Sequence, residues 1–145
     1  MKSYRTIFFV ILLAICFSCT SQPSAQALKH EGEKAANSDK IEAYYFHFTA
    51  RCVTCLTIEA KAKEYLEALY PNLMKNGLLS FQSLNLEDDA VKPLAKRLGV
   101  SGQCLLIVKG DQKIDLTNEG FLYAMVKPDK FKEIINEKVD GLLIR

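Results

Sequence analysis

Cys52-Val53-Thr54-Cys55 puts two thiols three positions apart in the chain. At that spacing the two sulfurs can close a disulfide and reopen as a dithiol, which is the chemistry of thiol–disulfide exchange. The same pair could be half of a zinc site or a plain structural disulfide. A structural zinc site takes four ligands, usually as two close pairs. His30, His47 and Cys104 are the other ligand types within reach of the argument, and they form no second close pair. Exchange, metal and structural readings therefore stand side by side until the surroundings of the motif are considered.

Those surroundings are a strand and a helix. Residues 41–48 include Tyr44-Tyr45-Phe46-His47-Phe48, an aromatic run suited to a buried strand. Residues 52–70 then carry Cys55, Ile58, Ala62, Tyr65, Leu66 and Leu69 at steps of three and four, one face of a helix that Pro71 should end. A thiol at the start of that helix meets unpaired N–H groups and the positive end of the dipole, so Cys52 should form a thiolate easily. Cys55, one turn further on the apolar face, should be shielded and placed to resolve a mixed disulfide.

The rest of the domain reads as alternating elements. Gly77 precedes a second strand over 79–86. Asn85 to Asp89 offers caps for a helix with Ala90, Leu94 and Leu98 inward, Pro93 in its first turn and Gly99 at its end. Residues 105–108 form an apolar strand, Gly110-Asp111 a turn, and residues 113–116 a hairpin partner. Pro128 opens a last helix with Phe131, Ile134, Ile135, Val139 and Leu142 inward. The expected fold is α/β, in the order β-α-β-α-β-β-α. It would be a four-stranded mixed sheet with helices on both faces, its first two connections being crossovers between parallel strands.

The first residues read as an address. Lys2 and Arg5 precede an apolar run over 7–17 that is too short to span a bilayer. Ser18-Cys19 resembles a bacterial lipobox, in which the cysteine is lipid-modified; Ala25-Gln26-Ala27 offers an alternative cleavage after residue 27. The expected organisation is a signal peptide over 1–18, a flexible polar tether over 19–40 and a domain over 41–145. Localisation would be extracytoplasmic, as a lipoprotein held to a membrane through Cys19 and facing the periplasm or cell surface, or as a soluble periplasmic protein by the alternative cleavage. Disulfides persist in such compartments. Processing also sorts the five cysteines of the chain. Cys16 leaves with the leader, Cys19 is lipidated or lost, and Cys52, Cys55 and Cys104 remain.

Composition bounds the function. A chain of 145 residues with 49% hydrophobic and 25% charged side chains makes one globular domain. It is too short for a barrel enzyme or a two-domain dinucleotide enzyme. Its 19 Lys+Arg face 17 Asp+Glu, and removal of Lys2 and Arg5 leaves an even balance. That is no footprint for nucleic acid. No dinucleotide fingerprint is present, and no cofactor is expected.

The strand, the Cys-x-x-Cys motif at the following helix and the β-α-β-β-α remainder resemble a minimal thioredoxin fold over about residues 41–145. Leu98-Gly99-Val100-Ser101-Gly102 resembles the segment leading into that family's cis-proline loop, and Phe48 matches an aromatic packed beneath its active site. Three positions depart from the family. Gln103-Cys104 stands where the cis-proline would be, Phe46 near the place of a buried acid, and Arg51 where a tryptophan often precedes the first cysteine. Tyr45-Phe46-His47-Phe48, the Cys-x-x-Cys motif and Lys113-Ile114-Asp115-Leu116-Thr117-Asn118 are similar to a bacterial thioredoxin-like group, the ArsF family, labelled a nitrophenyl compound nitroreductase subunit.

The resemblance implies a thiol–disulfide oxidoreductase with protein dithiols or disulfides as partners, Cys52 as nucleophile and Cys55 as resolving thiol. It also implies that Cys104 faces that pair, as a third redox thiol, as a soft-metal or metalloid ligand with Cys52 and Cys55, or as a small buried residue. Arg51 would tune Cys52 from beside it or stand as a solvated loop charge. His47 would relay protons or sit as a core histidine. Glu59 reads as helix surface, and Phe121 and Tyr123 as core or as cover over the site. A metal- or metalloid-binding thiol module and an accessory subunit of a larger reductase are the alternative functions.

Overall fold

The computed structural model describes residues 39–144. The signal peptide, the lipidation site Cys19, both cleavage sites, His30 and all but the last two residues of the tether lie outside the described residues. No helix among the described residues is long and apolar enough to cross a membrane.

The chain runs through β1 (Ile41–His47), α1 (Val53–Leu69), α2 (Pro71–Lys75), β2 (Leu79–Asn85), α3 (Lys92–Leu98), β3 (Cys104–Lys109), β4 (Gln112–Asp115), α4 (Thr117–Tyr123) and α5 (Pro128–Leu143). The strands form one sheet in the order β2-β1-β3-β4. β1 and β2 are parallel, with Ile41 opposite Leu79 and His47 opposite Asn85. β3 runs antiparallel to β1, with Phe46 opposite Cys104, and β4 antiparallel to β3. The mixed α/β sheet expected from the sequence is therefore present, with helices on both of its faces.

Alternation along β1 divides the core in two. Ile41, Ala43 and Tyr45 join Leu105 and Ile107 beneath Ile58, Ala62, Tyr65 and Leu66 of α1 and Phe131, Ile135, Val139 and Leu142 of α5. Tyr44 and Phe46 join Leu106 and Val108 on the other face, against Val91 and Ala95. Both faces of the central strands are thus covered, which is why they read as continuous apolar runs.

Four expectations are corrected. The second crossover does not link parallel strands. α3 is seven residues long, about 10 Å at a helix's rise, too short to carry the chain back along the sheet, so β3 starts at the end where β2 stops. Asn85 and Asp88 do not cap α3. Their carboxyamide and carboxylate accept the N–H groups of Glu87 and Ala90 instead, bending the loop before it. The helix begins three residues beyond Asp89, so Val91 and Ala95 point inward and Ala90 is exposed. Pro71 ends α1 but also opens α2, where its missing N–H has no cost. Finally, α4 (Thr117–Tyr123) lies in a stretch for which the sequence predicts no element. Gly120 in its middle weakens the helical pattern, yet a Cβ there would come within 2.9 Å of Ile58 Cγ2, so the glycine is what lets α4 lie against α1.

Candidate active site

β1 ends at His47, and the loop that follows delivers Cys52 to the first turn of α1. Cys52 is the N-cap: its backbone is extended and its sulfur accepts the Cys55 N–H at 3.2 Å. One of the helix's orphan donors is thereby aimed at sulfur rather than at a serine or aspartate oxygen. When the sulfur is a thiolate, that N–H and the helix dipole stabilise it. Cys52 and Cys55 are joined as a disulfide, their Cα atoms 5.1 Å apart. Cys52 is exposed, whereas Cys55 is 6% exposed. One sulfur is open to attack and the other is covered, the asymmetry that the helical spacing predicts.

Beneath the motif lies Tyr45, 1% exposed. Its hydroxyl donates to the Cys55 carbonyl at 2.8 Å and accepts from Gln103 Nε2 at 2.7 Å. Burial pushes the phenol's pKa up, and the nearby Arg51 charge pulls against that shift. With both hydrogen bonds filled, the phenol holds its proton and ties the turn carrying Cys55 to β1 and to the loop before β3.

Arg51 does not stand in solvent. Its guanidinium carbon lies 5.7 Å from the centre of the Tyr45 ring, and Nη2 pairs with Glu59 Oε2. The two side chains are 18% and 22% exposed. Glu59, expected as plain helix surface, is thus part of the site. His47 is on the Tyr45 side of the sheet, its ring stacked at 6.3 Å on the phenol ring. Its Nδ1 lies 2.9 Å from the Phe48 carbonyl oxygen and donates to it. It is half-buried at the end of β1. Phe48, matched to an aromatic under the site, is instead 42% exposed.

Cys104 lies on the other face of the sheet. It opens β3 opposite Phe46 and packs with Val91, Ala95 and their neighbours on the α3 face of the sheet. The residue that reaches the cysteine motif is Gln103, one position earlier. Cys104 is free, and burial, with Asp115 adding to it, pushes its thiol up to about 11. Among the described residues no group of three or more His, Cys, Asp or Glu side chains is arranged to hold a metal ion.

The rim around Cys52 is apolar. Val53 is 70% exposed; Leu56, Met125 and Val126 are also exposed. Met125 reaches the motif, its Sδ accepting from Thr54 Oγ1 at 3.3 Å. Phe121, also exposed, and Tyr123 belong to α4, and Tyr123 packs at the edge of the α1-side core. Tyr45, Gln103, Glu59 and Met125 were all missed from the sequence. Tyr45 had a signal there, as the β1 aromatic whose alternation puts it on the helix side, and so did Gln103, which stands with Cys104 where the resemblance puts a proline facing the cysteines.

No family model matches this chain, and no curated protein does. Among solved structures, thioredoxin O2 from Arabidopsis thaliana in its oxidized state is similar at 20% identity and a TM-score of 0.49, over 72% of this chain and 79% of that one. A malarial protein is similar at 12% identity and a TM-score of 0.39, over 61% of this chain and 96% of that one.

Proposed function

We propose that this chain is a thiol–disulfide oxidoreductase acting on protein thiols and disulfides. The observation that carries the reading is the asymmetric pair: an exposed Cys52 sulfur at a helix N-cap, accepting a backbone N–H, bonded to a buried Cys55.

In the reducing direction the Cys52 thiolate attacks one sulfur of a partner disulfide. A Cys52–partner disulfide forms, and the other partner sulfur leaves as a thiolate that takes a proton from water. Cys55 then gives up its proton and attacks the Cys52 sulfur. The second partner sulfur leaves, the partner has gained two electrons and two protons, and Cys52–Cys55 is oxidised. Run backwards, the same steps oxidise a partner dithiol. The exposed apolar rim of Val53, Leu56, Met125 and Val126 suits a polypeptide partner better than a small polar thiol.

Cys55→Ser should stop the sequence after the first attack and accumulate mixed disulfides at Cys52, visible as reductant-sensitive adducts on gels. Cys52→Ser should give none. Absence of adducts from Cys55→Ser, with Cys52 alkylating like an ordinary exposed thiol, overturns the reading.

The location proposed with it is extracytoplasmic, with Cys19 as a lipid anchor. It is supported by Lys2 and Arg5, the apolar run after them and Ser18-Cys19. Metabolic labelling with a fatty acid should mark the protein and be lost in Cys19→Ala. An unlabelled protein cleaved after Ala27 would make it a soluble periplasmic one.

A further inference from the structure

Arg51 immediately precedes the exposed cysteine, yet its charge is not directed at that sulfur. The guanidinium is folded over the Tyr45 ring and paired with Glu59. Glu59 follows Cys52 by seven positions and Cys55 by four, so it lies on the same stripe of α1, about 10 Å down the helix from the N-cap. The guanidinium is held there at a cost, because Arg51 Nε is buried with no hydrogen-bond partner. The Glu59 carboxylate and Tyr45 hold it in place. Tyr45, whose ring lies under the guanidinium, is stacked on His47 and bonded by Gln103 from the loop before β3, and the uncharged Met125, just beyond α4, meets Thr54 of the motif. A further carboxylate, Glu87 from the loop after β2, accepts the Thr49 N–H at 2.8 Å.

We propose that Glu59 sets the acidity of Cys52 by drawing the Arg51 guanidinium down the helix and cancelling its charge. Glu59 is a positioning residue: it touches Arg51 and acts on the sulfur through it. With the carboxylate in place, Cys52 is activated chiefly by the helix N-terminus. Without it, an uncompensated cation lies next to Cys52 and the thiolate is favoured further. With Arg51 removed instead, a lone carboxylate remains on the stripe of the cysteines and the thiolate is disfavoured. The two single changes therefore act in opposite directions and the double change nearly cancels. A purely structural role for the pair would give both single changes the same sign.

The experiment reads the rate of iodoacetamide labelling at Cys52 in the reduced full-length protein against pH, by mass spectrometry. Glu59→Gln should lower the apparent pKa of Cys52 and speed labelling at pH 6 about tenfold. Arg51→Met should slow it, and Arg51→Met with Glu59→Gln should fall back within about threefold of the unaltered protein. Glu59→Asp, which keeps the charge, should restore most of the original behaviour. Glu59→Ala has the same sign as Glu59→Gln and serves where the amide variant does not fold. Shifts of one sign in both single variants, or no shift in either, overturn the proposal.

The consequence for redox poise rests on the oxidoreductase reading. Stabilising the thiolate stabilises the reduced form, so Glu59→Gln should make the Cys52–Cys55 couple more oxidising against glutathione, by about 30 mV for a tenfold change in the equilibrium constant. Labelling that shifts as described in a protein that exchanges with no disulfide would sink that reading and leave the role of Glu59 intact.

Discussion

Cys104 and Gln103 are adjacent in the chain and face opposite sides of the sheet. Gln103 reaches the Tyr45 hydroxyl below the disulfide, while Cys104 packs behind the sheet with Val91 and Ala95. A thiol held up at about 11 by burial stays protonated through neutral pH, and the protonated form is a poor nucleophile. In the reduced protein at pH 8, Cys104 should alkylate at least about 100-fold more slowly than Cys52. Cys104→Ala should leave the labelling profile of Cys52 unchanged; equal rates at the two thiols would place Cys104 outside its packed position. At this scale the sequence was legible where geometry is local. The N-cap role of Cys52 and the shielding of Cys55 follow from three-residue spacing on a helix. The side taken by Cys104 was not legible, because residues 105–108 are apolar on both faces and give no alternation from which to count. Arg51 and Glu59 were hidden for another reason: a charge on a helix stripe looks solvated until its partner's fold-back is known.

Among the elements, α4 decides how the site is walled. It connects β4 to α5, packs on α1 through Gly120 and brings Met125 just beyond its end to Thr54. Gly120→Ala would put a methyl 2.9 Å from Ile58 Cγ2, inside contact distance. Either the Ile58 side chain or α4 must move. The expected cost is about 1–3 kcal/mol despite the better helix propensity of alanine, read as a lowered denaturant midpoint. Ile58→Ala, which removes Cγ2, should cost less in the Gly120→Ala chain than in the original one. A Gly120→Ala protein more stable than the original would mean that α4 is free to shift. The long, strongly periodic helices were readable from their apolar stripes: the buried residues of α5 are Phe131, Ile135, Val139 and Leu142, four of the five expected. The short ones were not. α2, α3 and α4 have five to seven residues, two turns or fewer, over which a period of 3.6 cannot be told from chance.

For the whole molecule, strand direction is the feature that composition and periodicity do not encode. The reversal of β3 depends on where a short connection lets the chain turn, and it places the loop with Gln103 at the same end of the sheet as Cys52. The described domain therefore has a reactive end and a quiet end. The chain arrives at the quiet one, at Ile41, whose N–H is bonded to the Leu78 carbonyl. This has a mechanical meaning. A pull applied through the residues ahead of Ile41 is met roughly 20 Å from Cys52, at the far end of β1. β1 lies between β2 and β3, so the load is borne in shear across two ladders and does not peel away an edge. A protein fixed by its leading residues would carry tension along its most firmly held strand, with the sulfurs outermost and unloaded.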